Sequence, residues 1–411
     1  MTRSGVDQPR TERVALDAAR VRVLEGLEVL PAGDPEPLRQ CLGRVLAEDV
    51  YAPLPVPAYP VSAMDGYAVR AADLDSTGPV ELRMAGRALA GHPFEGSVAP
   101  GQCVRIMTGA ALPQGADTVV MQEQAEAADG HVRLFAAAES GRHVRPAGGD
   151  IGVGSRVLAA GRRLSPVDLG LLASVGLERI PVRRAPVVAY FTTGDELRMP
   201  GERLGYGEIY ERNVFALGAM AGRLGAEWRD FGIAPDEPAR IRETLSAAAG
   251  VADLVLTTGG VSLSEADHML DAVAALGQVA GLRAAVEPGG PLAVGRIGRS
   301  AYLGLPGNPV SAVVAFELFA RPMLERLAGA GTQEPRTFPA RCAEPLHKQR
   351  GRCAYQCGIL ARAGDGTWTV RSAGSQDAAA YSTLARADCY IVLGEDTGDV
   401  ERGAWVEVQP F

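Results

Sequence analysis

From Val14 to Glu48 the apolar side chains recur at helical spacing: Val14, Leu16, Ala18, Val21, Val23 and Leu24, then, beyond a PAGDPEP break, Leu38, Cys41, Leu42, Val45 and Leu46. This pattern predicts two helices around a turn. The texture then changes. YAPLPVPAYPVSAMDGYAVR is punctuated by proline, and between Val80 and Leu134 short apolar runs (VELRMAG, CVRIMTG, DTVVMQ, HVRLFA) are separated by Gly and Pro turns, the pattern of a compact β domain. A turn-rich stretch beginning AGGDIGVGSR leads to an amphipathic helix from about Pro166. Residues 11–47 and 146–181 are therefore read as one helical subdomain, with the β domain of residues 48–145 inserted into it.

From Val182 strands and helices alternate. PVVAYFTTGDEL, EWRDFGIAPDEP, ADLVLTTGG and AYLGLPGNP are apolar runs that end in polar turns, and each leads into a helical pattern. Asp236 is placed to cap one of these helices with Pro238 in its first turn, and Asn308 to cap another with Pro309 at its first position. Such alternation marks a doubly wound α/β sheet over residues 182–330. Residues 331–411 return to short β runs (YQCGIL, TWTVRSAG, DCYIVLG, WVEVQPF), a separate small β domain.

A chain of 411 residues with 47% hydrophobic and 22% charged residues is a multidomain globular protein. Its net charge of −8 disfavours a nucleic-acid partner, although a small anion needs only a local basic cluster. No run of about 18 apolar residues is present to span a membrane, and the start carries no apolar segment, so a cytoplasmic location is expected. The six scattered cysteines (Cys41, Cys103, Cys342, Cys353, Cys357, Cys389) fit reduced thiols; the Cys353/Cys357 spacing lacks a second ligand pair and reads as two half-buried strand residues. The five histidines show no metal-ligand spacing.

In an open α/β sheet ligands lie beyond the carboxyl ends of the strands, where glycine permits close backbone approach. Here three such ends are polar: TTGD with Thr193 and Glu196, TTGGVS with Ser264, Glu265 and Asp267, and LPGNP with Ser311. One such turn is weak evidence, but three in one domain point to a phosphate-bearing anion. There is no GxxxxGK[ST] and no GxGxxG after a strand, which excludes a P-loop NTPase and leaves dinucleotide oxidoreduction without support. Glu196, Asp236 and Asp267 instead suggest Mg²⁺, which bridges carboxylates to phosphate. A second constellation joins SAMDGYAV (Ser62–Val69), RIMTGA (Arg105–Ala110) and the turn with Arg142, Arg145, Gly149 and Asp150; from composition alone, Asp65 is equally an ordinary turn acid.

Taken together, SAMDGYAV, RIMTGA, GGDI, TTGDEL, GEIYERN, TTGGVSLSEAD and LPGNPVSA stand in the order and spacing of the molybdopterin molybdenumtransferase family, MoeA and the matching part of gephyrin, which this chain resembles from about Val14 to Phe411. The resemblance implies a multidomain α/β and β chain: a helical linker domain with an inserted β domain, a doubly wound molybdopterin-binding domain and a C-terminal β barrel. It also implies a homodimer whose cleft joins the α/β domain of one subunit to the inserted domain of the other. The implied reaction takes adenylylated molybdopterin and molybdate as substrates and, with Mg²⁺, leaves molybdenum on the dithiolene and releases AMP. Molybdopterin adenylyltransferase and molybdoenzyme acceptors are the partners such a reaction would have. By motif, Asp65, Thr108, Asp150 and Asp267 carry over as catalytic, and Glu196, Asp236 and Asp267 as metal-binding. Ser62, Arg145, Thr193, Gly259, Gly260, Ser262, Gly307, Asn308, Ser311 and Arg352 carry over as substrate-binding.

Two departures stand out. The family's lysine-bearing KPGKP turn reads Glu287, Pro288, Gly289, Gly290, Pro291 here, a change of three charge units, and the only lysine of the chain is Lys348. A charge pair at about 4 Å is worth roughly 4 kcal/mol at an effective dielectric of 20, so uncompensated loss would weaken anion binding by several kcal/mol. Arg283 or Arg296 is the expected replacement. The family's GxQGS turn in the barrel reads Gly374, Ser375, Gln376, Asp377, Ala378. The alternative is a divergent paralogue that binds a molybdopterin species as carrier, sensor or scaffold without inserting metal; an adenylyltransferase is disfavoured by the accessory domains.

Overall fold

A computed structural model describes residues 12–74, 78–135, 137–260, 268–331 and 334–411. The chain divides into two compact units, one built from residues up to Asp34 with Gly43–Ala47 and Val182–Phe411, the other from Pro35–Leu42 and Glu48–Pro181.

The first unit is organised by a seven-stranded sheet. Its strands are β1 (Glu12–Val14), β2 (Val187–Thr193), β3 (Glu227–Ala234), β4 (Leu254–Thr258), β5 (Gly277–Ala284), β6 (Pro291–Ile297) and β7 (Ser300–Leu305), in the order β1-β5-β6-β7-β4-β2-β3. All neighbours are parallel except β5/β6 and β6/β7. Every residue of β2, β4 and β7 is buried, as expected of unbroken apolar runs covered on both faces. Alternate side chains enter two cores: Val188, Tyr190, Leu254, Leu256 and Leu303 pack on one face, and Ala189, Phe191, Val255 and Tyr302 on the other. Helices α1 (Leu16–Leu24), α2 (Asn213–Arg223), α3 (Pro238–Ala249), α4 (His268–Leu276) and α5 (Pro309–Ala315) cover these faces, α5 continuing through a wider turn at Phe316–Ala320 into Arg321–Leu327.

Five further strands, β8 (Phe338–Cys342), β9 (Cys353–Arg362), β10 (Trp368–Ser372), β11 (Cys389–Leu393) and β12 (Trp405–Pro410), close into a small barrel. Closure depends on β9, which pairs with β11 through Ala354–Gly358 and with β10 through Gly358–Arg362. Gly358 sits at the changeover, and a Cβ there would lie 2.7 Å from Ile391 and 2.9 Å from Val370. Cys353 is half-buried and Cys357 buried on this strand, and none of the six cysteines is in a disulfide.

The second unit holds a six-stranded sheet in the order Thr118–Met121, Gly66–Val69, Gln102–Ile106, Val80–Ala88, His131–Leu134, Ala125–Ala128. Its helix at Pro166–Ser174 starts on a reciprocal capping box between Ser165 and Asp168.

Of the two helices expected before Glu48, only α1 forms. Val14 belongs to an edge strand, and the second pattern gives a single tight turn at Leu38–Gln40. Gly43, at φ +75°, takes the chain out of helical conformation, while Cys41, Val45 and Leu46 are buried all the same. Apolar spacing there reports burial, not helix.

Candidate functional site

Because β2, β3, β4 and β7 run parallel, Thr193, Ala234, Thr258 and Leu305 finish at one edge of the sheet. Three turns meet there. Gly259 has φ +81° and Gly260 φ +65°, values that favour glycine. A Cβ on Gly259 would stand 3.1 Å from the Thr193 carbonyl oxygen, one on Gly307 would stand 3.6 Å from Gly259 Cα, and the Gly259 N–H donates to the Leu305 carbonyl at 3.2 Å. The turns after β2, β4 and β7 thus form one continuous backbone surface. Asn308 occupies the N-cap of α5 without a side-chain capping bond, Pro309 follows it, and Ser311 is buried in the first turn. Ser262 and Asp267 lie outside the described residues, as do Ser264 and Glu265.

Glu196 and Asp236 are exposed just beyond β2 and β3. Asp236 does not cap α3: the N-cap is Glu237, and the Asp236 N–H instead approaches Asp195 Oδ1 at 3.5 Å. Asp236 precedes the cap by one residue, so its carboxylate is left for other work. Among the described residues no three His, Cys, Asp or Glu side chains converge as a metal cage. Two carboxylates, with Asp195 beside one of them, are nevertheless donors of the kind a hard divalent cation takes.

The turn between β5 and β6 lies at this same sheet edge. Glu287 does not stand as a bare charge: Arg352 Nη1 lies 3.7 Å from its Oε2. Val286 and Glu287 pair with Cys353 and Ala354 of β9, which holds turn and barrel together. Arg283 is exposed at the end of β5, opposite Pro291 and in register with exposed Arg13 of β1, and neither arginine has an ion pair among the described residues. Arg296 is five residues further along β6, about 17 Å from the turn by strand rise. Its guanidinium donates to the carbonyls of Gly26 at 2.7 Å and Arg299 at 3.2 Å. Of the two candidate replacements, Arg283 has the position and, among the described residues, donors with no ion pair. A cavity of about 460 Å³ opens beside this turn, with Glu287, Pro288, Val310, Tyr355, Gln376 and Asp377 in its wall. Lys348 also lines it, but its ammonium is committed to the carbonyls of Gln349, Glu395 and Thr397 at 3.2, 3.3 and 2.6 Å.

In the second unit Asp65 and Thr108 are brought together. Asp65 Oδ1 accepts the Thr108 N–H and hydroxyl, each at 2.8 Å, and the first of these bonds is the main reason its carboxyl is held below the usual range. The two meet because Gly66 pairs with Ile106; a Cβ at Gly66 would lie 2.0 Å from the Val120 carbonyl oxygen. Arg105 donates to the Gly66 carbonyl at 3.0 Å and lies over the Tyr67 ring. Ser62 is buried with its hydroxyl on the Met64 carbonyl at 2.5 Å, and exposed Arg145 pairs across from Val61. Exposed Asp150 is placed by its own N–H, which donates to the Val56 carbonyl at 3.0 Å; no contact joins its side chain to Asp65 or Thr108 among the described residues.

Sequence reasoning assigned no role to Tyr190, Glu211, Asn213 or Thr258, which are buried polar residues directly beneath the glycine turns. A signal existed: a tyrosine inside an otherwise apolar central strand needs a hydroxyl partner, and GEIYERN supplies an acid.

Comparison with known proteins matches the chain in three stretches. Residues 14–176 match the model described as MoeA N-terminal region (domain I and II), 189–326 that of a probable molybdopterin binding domain, and 339–411 that of the MoeA C-terminal region (domain IV). A molybdopterin molybdenumtransferase of Haemophilus influenzae is 37% identical over 400 residues, covering 97% of this chain and 98% of the relative. One from Nostoc is 36% identical over 85% of this chain and 82% of its own. A crystal structure of the MoeA molybdopterin biosynthesis protein from Pyrococcus horikoshii superposes with a TM-score of 0.80 at 31% identity, covering 97% of this chain and 99% of the other.

Proposed function

We propose, starting from the fact that this chain belongs to the MoeA family of molybdopterin molybdenumtransferases, that it is a transferase of molybdenum cofactor biosynthesis which inserts molybdenum from molybdate into adenylylated molybdopterin and releases AMP. The observation that carries this reading is the single backbone surface made by the turns at Thr193, Gly259–Gly260 and Gly307–Asn308, within the region matching the molybdopterin-binding model. Glycines in left-handed conformation there present N–H groups to a phosphate without side-chain obstruction.

In this reading Arg283, with Arg13 beside it, attracts the oxyanion, and Arg352 cancels the charge of Glu287. Glu196, Asp236 and Asp267 would hold Mg²⁺, which neutralises phosphate charge when bound. Asp65 is fixed by Thr108 as an acceptor and, with Asp150, handles the protons and oxygens of the reacting anions. The functional form is taken to be a homodimer. The alternative of a metal-free carrier drew on the reversed charge at Glu287, and the Glu287–Arg352 pair weakens that motive.

The test is direct. Purified protein given adenylylated molybdopterin, molybdate and Mg²⁺ should release AMP, and Asp267→Ala should release little. Absence of AMP with the native chain, or equal release from Asp267→Ala, overturns the proposal, and a native chain that binds the pterin tightly without release would make it a carrier.

A further inference from the structure

Beneath the glycine turns runs a row of buried polar side chains. Glu211 is 3% exposed and forms no ion pair among the described residues; its Oε1 accepts the Tyr190 hydroxyl at 3.1 Å and the Val214 N–H, near the start of α2, at 2.9 Å. The Tyr190 hydroxyl also lies 2.6 Å from Thr258 Oγ1, and Thr258 Oγ1 donates to Thr192 Oγ1 at 3.0 Å. Thr192 in turn donates to the Thr258 carbonyl at 2.9 Å, closing the row across β2 and β4. Two residues beyond Glu211, the Asn213 amide donates to the Gly307 carbonyl at 2.9 Å. The start of α2 therefore grips all three strand ends: β2 and β4 through Glu211, and the turn after β7 through Asn213.

Buried polar groups away from any solvent are costly unless fully bonded, and an apolar row would fill this space with less at stake. What the polar row adds is registry. Each bond fixes one strand end against the next, and the turns it supports lie so close that a Cβ added at Gly259 would stand 3.1 Å from the Thr193 carbonyl oxygen and one at Gly307 3.6 Å from Gly259 Cα, so a small slip of one displaces the others.

We propose that Glu211 and Asn213 are positioning residues which, acting through Tyr190 and Thr258 and through Gly307, set the relative placement of the glycine turns for a phosphate-bearing pterin. This inference rests on the functional reading above and deepens it by naming residues that never touch the ligand. Glu211→Gln keeps an acceptor for Tyr190 and Val214 and should bind like the native chain. Glu211→Ala and Asn213→Ala should each weaken binding of adenylylated molybdopterin, followed by pterin fluorescence, about tenfold or more. In turnover this should appear as a raised KM for the pterin with the KM for molybdate unchanged. Leu245→Ala, fully buried on α3 against the opposite core, serves as a variant that destabilises without touching the row. Loss of pterin affinity in Leu245→Ala equal to that in Asn213→Ala would reduce the row to plain stability and overturn the proposal. Native affinity in both alanine variants would do the same. A native chain that binds no phosphate-bearing pterin would fail earlier, at the functional reading itself.

Discussion

Gly290 offers the sharpest test of how the turn at residues 287–291 is built. A Cβ placed on it would lie 2.8 Å from the Ala284 carbonyl oxygen and 3.0 Å from that of Val286, both backbone atoms. Neither can retreat freely. The Ala284 N–H donates to the Gly290 carbonyl at 2.8 Å, the Ala285 N–H donates to Val14, and the Cys353 N–H donates to the Ala285 carbonyl, so the loop is tied to β1 and β9 on both sides. Gly290→Ala must therefore overpack the turn, at about 1–3 kcal/mol, and stretch the bond to Ala284, at about 1 kcal/mol. The sum, about 2–4 kcal/mol, corresponds to a fall in melting temperature on the order of 3–7 °C for a unit of about 270 residues. Scanning calorimetry of the native chain and the variant measures it, with Gly222→Ala as the reference. Gly222 lies in α2 with nothing within 4 Å of its would-be Cβ, so alanine there should stabilise by about 0.5–1 kcal/mol. A Gly290→Ala protein melting within about 1 °C of the native chain would refute the packing argument. The same geometry governs any attempt to restore the family's lysines: Gly290→Lys carries the steric cost with the charge, so the electrostatic question belongs to Glu287 alone.

Glu287→Lys replaces an exposed ion pair by two cations; after discounting for solvent screening the gain for an anion is about 1 kcal/mol, a fall in the KM for molybdate of about fivefold, and a rise would contradict the assignment. Arg283→Ala should raise that KM about tenfold, whereas Arg296→Ala, whose guanidinium already serves two carbonyls, should leave it near native; the reverse pattern would move the anion site to the other end of β6. Asp65 has a folded-state pKa below its unfolded value, so its contact with Thr108 contributes in full above the unfolded value and is lost only as pH falls through the folded one. Its carboxyl carbon, followed by NMR, should titrate below 3.8 and return toward that value in Thr108→Val, while a midpoint at or above 3.8 in the native chain would remove the contact from the argument.

What the chain discloses of itself follows the range of the forces involved. The strands β2, β4 and β7 were readable because full burial on two faces demands unbroken apolar runs, and the polar turns after them because nothing else in the pattern accounts for three such ends in one domain. The second helix before Glu48 was misread because burial of Cys41, Val45 and Leu46 does not require helical backbone, and one glycine at φ +75° decides against it. Asp236 was misread by a single residue, the usual error at a helix end, and the correction turns a capping acid into an exposed one. Contacts across long separations were beyond reach: Asp65 with Thr108 is 43 residues apart, and Tyr190 with Thr258 is 68.

The turn at 287–291 shows why a motif read in isolation misstates its own charge. By sequence, Glu287 and Gly290 removed two cations from an oxyanion site and added an anion. In the fold, Glu287 meets Arg352 from the barrel, Arg283 and Arg13 stand in register at the neighbouring strand ends with no ion pair among the described residues, and Lys348 is consumed by three carbonyls. The local sum is then set by which cations remain free rather than by how many were lost. Like charges in register on adjacent strands repel, and nothing among the described residues offsets Arg13 and Arg283, so an anion bound near them gains what the empty pair lacks. In the proposed function this pair is the place where an oxyanion would be drawn toward the glycine turns. Substituting both arginines should change affinity for molybdate by other than the product of the single losses if one anion bridges them; a loss equal to the product would mean that they act independently, and no effect of Arg13→Ala would mean that Arg283 acts alone.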